Sequence, residues 1–152
     1  MLRKAAIPLF ILSIIGIFAT GCEDNPVDND ENNDHAEAAA MLVMLGSDTL
    51  LYQDETEGVL AESGIQISVG ETANTIEVMF LAHDGDQFQP EEDHFSLSAE
   101  IGNTDIAEVL AGESRWEFTV KGNIVGETHL TVKLMHGDHP DFTGEQINVH
   151  VE

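Results

Sequence analysis

From residue 38 to residue 152, apolar and polar side chains alternate with a period of two, the spacing that gives a β-strand one buried face and one wet face. Residues 41–45 and 49–53 flank Gly46-Ser47-Asp48, a short loop suited to a hairpin. Ile65, Ile67 and Val69 alternate with polar neighbours before a turn at 70–74. Ile76, Val78, Phe80 and Ala82 then define one face of a strand whose other face carries Met79 and Leu81, which predicts a central strand covered on both sides. Four more strands are predicted: one on Phe95, Leu97, Ala99 and Ile101, one on Trp116, Phe118 and Val120, one on Leu130, Val132 and Leu134, and one on Ile147, Val149 and Val151. No segment predicts a helix longer than two turns. The one helical candidate is 36–45, where three alanines precede β-prone residues. Short strands recurring about every ten residues predict an all-β fold: a single antiparallel β-sandwich of about 7–9 strands over residues 39–152.

The text before residue 38 is of another kind. Arg3 and Lys4 precede an almost wholly apolar run at 5–19, interrupted by Pro8. As helix this run would rise only about 22 Å, short of the ~30 Å hydrocarbon core of a membrane. It therefore reads as the apolar core of a signal peptide, residues 1–21, and not as a transmembrane span. Ala19-Thr20-Gly21-Cys22 resembles the bacterial lipobox, with Gly21 before the cysteine and Ala19 where leucine is commoner. The resemblance implies cleavage before Cys22, lipidation of Cys22 and attachment to a membrane of the cell envelope, on its periplasmic or cell-surface face. More than one acyl chain makes such anchoring stable where a single chain is marginal. Residues 22–38 then read as an acidic, disordered linker: Asp, Glu and Asn dominate, and there is too little apolar surface to pack. Self-repulsion should keep that linker extended.

Three segments of the β-region carry a second resemblance. These are Asp105-Ile106-Ala107-Glu108-Val109, then Trp116-Glu117-Phe118-Thr119-Val120-Lys121-Gly122, then Gly126-Glu127-Thr128-His129-Leu130-Thr131-Val132. They resemble the C-terminal half of bacterial immunoglobulin-like (Ig-like) domains over about forty residues, and the resemblance implies an Ig-like sandwich. It implies nothing about function, because such folds host many functions. The segment 41–53 and the tail from His136 onward depart from the usual repeat.

Cysteine and charge narrow the chemistry. Cys22 is the only cysteine, so no disulfide can form within the chain and the fold must rest on its apolar core. Once residues 1–21 are removed, Arg115, Lys121 and Lys133 face 29 carboxylates, a formal charge of −26. Such a field repels nucleic acid and anionic lipid headgroups and attracts divalent cations and basic proteins. A carboxylate-rich surface also serves solubility in salt.

The seven histidines are the one feature that suggests a site. Leu134-Met135-His136-Gly137-Asp138-His139-Pro140-Asp141 sets two imidazoles three apart, with two Asp and one Met nearby. Gly137 permits a turn that would let His136 and His139 meet one ion, with Asp138 completing the shell. His83-Asp84-Gly85-Asp86 and Glu91-Glu92-Asp93-His94 flank another loop, so His83 and His94 are candidate further ligands. His136 continues the inward phase of Leu130, Val132 and Leu134, whereas His129 and His150 take the outward phase. Zinc or copper is the expected ion, and its affinity should collapse below about pH 6, because ligand imidazoles must be neutral. Calcium, held by the acidic loops, ranks behind. The run 28–34 lacks the central glycine and distal glutamate of an EF-hand.

Catalysis has no visible machinery. No Gly-x-Ser-x-Gly elbow or His-Glu-x-x-His pattern occurs, and adjacent Glu91 and Glu92 on a strand would point oppositely. The expectation is a non-enzyme. It is either a binding module that captures a divalent transition metal or a structural or protein-interaction Ig-like module with a cell-envelope protein partner.

Overall fold

The computed structural model describes residues 36–152, so the expected signal peptide, Cys22, His35 and nearly all of the expected acidic linker lie outside the described residues. The described chain is all-β, twelve strands in two sheets, and is numbered in chain order. One sheet runs β3 (Gly58–Glu62), β2 (Asp48–Asp54), β1 (Ala40–Leu45), β5 (Ile76–Leu81), β9 (Glu117–Gly122) and β8 (Ala107–Ala111), with the two-residue β6 (Gln87–Phe88) on β5. The other runs β11 (His139–Thr143), β10 (Gly126–His136), β12 (Ile147–Val151) and β4 (Ile65–Ile67), with β7 (Phe95–Ile101) also on β10.

β10 is the spine of the second sheet. Leu130 pairs with both Ile101 and Ile147, and Leu134 with both Leu97 and Phe142. One edge of β10 is therefore taken by β7, and the other by β11 and β12 in succession.

The core is built by the alternating sets read from the sequence. Ile76, Val78 and Phe80 of β5, Phe118 and Val120 of β9, Leu130, Val132 and Leu134 of β10, and Ile147, Val149 and Val151 of β12 are all buried in one cluster. Trp116 meets the Phe80 ring edge-on at 5.7 Å and 80°, the arrangement that aromatic quadrupoles favour. No polar or charged residue among the described ones is fully buried, so apolar burial carries the stability.

Four expectations need correction. Twelve strands replace the predicted 7–9, because β3 is exposed throughout and shows no alternation, β6 has two residues, β8 fully buries only Ala107, and β11 carries Pro140 and Asp141. The candidate helix at 36–45 is β1 from Ala40 onward: Met41 and Val43 pair with β2 and β5, and that pairing outweighs the helical preference of the alanines. β4 pairs parallel to β12, so the sandwich is not wholly antiparallel. β5 is central, as predicted, but Glu77 on its second face is exposed and Met79 and Leu81 are only half-buried.

Two acidic groups show how the charged surface is managed. Asp54 Oδ1 accepts the Thr56 hydroxyl at 2.7 Å, the Thr56 N–H at 2.7 Å and the Glu57 N–H at 2.9 Å, and these bonds, the hydroxyl first, hold its carboxyl below the usual range. They brace the turn from β2 into β3, which Gly58 completes at φ 81°. Glu100 on β7 receives the Lys133 ammonium of β10 at 2.9 and 3.0 Å, and this bond likewise lowers its carboxyl. A lowered carboxyl stabilises the fold above its ordinary value of 4.5 and loses that contribution as the pH falls through the folded value. Glu100→Gln is expected to lower stability at pH 7 by about 0.2–1 kcal/mol, the range of a solvated pair. Urea midpoints should show the gap closing as the pH drops below 4.5; a gap that persists in acid would mean that the carboxylate charge is not its source.

Candidate metal centre

His136 ends β10 and His139 opens β11, and the two are direct cross-strand partners around a two-residue turn, Gly137-Asp138. Gly137 takes φ 57°, the left-handed conformation that such a tight hairpin requires at its first central residue. Its N–H donates to the His94 carbonyl at 2.8 Å, which fastens the turn to the residue just before β7. The strand itself therefore sets the two imidazoles side by side, with ring centroids 5.0 Å apart.

The third donor comes from an irregularity. Leu134 pairs with Phe142 but Met135 with Pro140, so Asp141 is an extra residue on β11. A bulge of this kind turns the additional side chain away from strict alternation. Asp141 turns inward: its side chain is 4 % exposed, against 19 % for His136 and 50 % for His139. Asp141 Oδ1 lies 3.4 Å from His139 Nε2, and Oδ2 lies 3.9 Å from His136 Nδ1. One donor from each of His136, His139 and Asp141 falls within 4.8 Å of the others.

Around a tetrahedral zinc with bonds of about 2.0–2.1 Å, neighbouring donors stand roughly 3.4 Å apart. The His139 to Asp141 spacing already matches that figure, and His136 Nδ1 stands 3.9 Å from the same carboxylate, so a small inward shift of the His136 ring is what the ion would require. Two imidazoles and one carboxylate suit zinc or copper and not calcium, which takes six or more oxygens.

No family model and no curated protein matches this chain. Solved structures resemble part of it. Domains 4 and 5 of the S-layer protein SbsC share 22 % identity over 59 % of this chain and 47 % of that one, with a TM-score of 0.45. Domains 5 and 6 of SbsC share 22 % identity over 60 % of this chain and 40 % of that one, also with a TM-score of 0.45. The chain thus spans less than half the length of the structures it resembles.

The candidate ligands read from the sequence separate into two groups. His94 joins the rim as a ring neighbour, its centroid 4.9 Å from that of His136 and 4.5 Å from that of Phe95, but it is not one of the three convergent donors. Asp138 stands fully exposed at the turn, 3.7 Å from His139 Nδ1, and Asp141 occupies the place expected of it. His83 is elsewhere, 72 % exposed and 3.7 Å from Glu55. His150 lies 3.5 Å from Glu127, and the half-buried His129 ring covers Gly102 closely enough that a Cβ there would fall 2.3 Å from it. Asp141 is legible in the sequence only as a nearby acid, since even spacing from His139 would set it on the same face without saying that it faces inward. Pro140 beside it is the available hint, because proline in a strand marks an edge or a bulge.

Proposed function

We propose that the protein is a non-catalytic structural or interaction module of the bacterial cell envelope: an Ig-like sandwich borne on lipidated Cys22 and the acidic linker. One observation carries this reading. β3 borders its sheet, pairs only with β2 among the described residues, and is exposed along its whole length, with Val59 and Leu60 at 41 % and 47 %. A braced edge strand with adjacent apolar side chains is a template for strand addition, where main-chain bonds supply affinity and alternate side chains supply selectivity. A photo-crosslinking residue at position 60 in living cells is expected to give a discrete protein adduct that Val59→Lys abolishes. Adducts no stronger than those from the same probe at exposed Asp105 would refute it.

A second reading, capture of zinc or copper, is favoured by the convergence of His136, His139 and Asp141. The two readings use different ends of the chain's chemistry and are compatible. Calorimetric titration of the lipid-free chain with each ion tests the second.

A further inference from the structure

We propose that a zinc or copper ion at the β10–β11 rim also fastens the start of the folded domain, through the two oxygens of Asp141. This rests on the metal-capture reading above. Asp141 Oδ1 faces His139, while Oδ2 accepts the backbone N–H of Ala36 at 3.0 Å, across 105 positions of sequence. Ala36 stands where the acidic linker meets the sandwich. Ala36 and Ala38 pack against the core, and the Ala39 N–H donates to the Leu81 carbonyl at 2.8 Å. The chain is thus led from the linker into β1 past the one carboxylate that the two imidazoles share.

Metal-ligating carboxylates are held in orientation by hydrogen bonds of their own, and losing such a partner typically weakens the metal by about 10–100-fold. The Ala36 N–H occupies that role: it fixes Oδ2, which also lies 3.9 Å from His136 Nδ1, and so aims Oδ1 at His139. The ion returns the effect, because coordination immobilises the carboxylate that receives Ala36. A dication also offsets the negative charge of Asp141 beside an entry segment that carries Glu37. Binding free energies couple reciprocally, so metal secures the junction as much as the junction secures metal.

The test uses the lipid-free chain with zinc as the probe. Ala36→Pro removes the N–H and leaves the three ligands in place; it is expected to raise the zinc Kd on the order of tenfold. Ala36→Ser keeps the N–H and should bind as the parent does. Hydrogen exchange of the Ala36 amide in the parent chain should slow when zinc is added, a readout that holds even if Ala36→Pro perturbs folding. If the parent binds zinc but Ala36→Pro binds equally well and the Ala36 amide is indifferent to the ion, the coupling is wrong and the metal site stands. If the parent binds neither zinc nor copper, both fall together.

Discussion

Replacing Phe80 with alanine is expected to destabilise the domain by about 3–5 kcal/mol, the cost of emptying a buried aromatic site that cannot collapse. Phe80 has no exposed surface, sits in the middle of the central strand β5, and holds Trp116 at 5.7 Å and Phe88 at 6.2 Å. Its neighbours are anchored in three different strand pairings, so they cannot move together to fill the void. With no cysteine after residue 22 and no fully buried polar residue among those described, nothing else offsets the loss. A domain with a total stability of 5–15 kcal/mol would be left marginal, and its melting temperature should fall by about 12–20 °C. Thermal unfolding followed by circular dichroism measures this, with Leu60→Ala on the exposed edge as a control expected to shift stability by less than about 0.5 kcal/mol. A Phe80→Ala loss below about 1 kcal/mol would show that the two sheets do not close over this ring as described.

Removing both imidazoles, His136→Ala with His139→Ala, is expected to raise the zinc Kd from micromolar or tighter by a factor on the order of 100 or more, since even an outer-shell partner is worth about 10–100-fold. The hairpin should survive, because its turn depends on Gly137 and its fastening on the His94 carbonyl, neither of which the variant touches. Single changes separate the donor set that converges in the structure from the one the sequence suggests. Asp141→Asn should weaken zinc clearly, whereas Asp138→Ala at the exposed tip should leave it nearly unchanged. Affinity should also fall on acidification, as protons compete for the imidazole nitrogens. A parent chain that takes up no zinc or copper at neutral pH would end the capture reading. A chain in which Asp138→Ala matters and Asp141→Asn does not would mean that the bulge is absent in solution.

The fold and the site were legible to different depths. Inward faces such as Ile76, Val78 and Phe80 could be read directly, because strand geometry alternates side chains whatever the strand pairs with. The proximity of His136 and His139 could also be read, since Gly137 makes the turn a local matter. His83 could not be placed, because its loop and the rim come together or stay apart only through the path of the whole sheet, and Glu55 receives it instead. β3 escaped for a related reason: an edge strand with both faces wet leaves no period of two to find.

What the sequence determines by itself here is the local and the additive: the apolar alternation that dictates a sandwich, the absence of a second cysteine, and the excess of carboxylates over cations. What only the tertiary structure decides is which residues face one another across strands. The parallel joining of β4 to β12, the strand at 40–45, the inward turn of Asp141 and its reach to Ala36 all depend on register with a partner distant in the chain. A backbone hydrogen bond forms between any two strands brought alongside, so its partner is chosen by how the buried faces pack together. One extra residue in β11 is therefore enough to turn an acid from solvent toward two imidazoles.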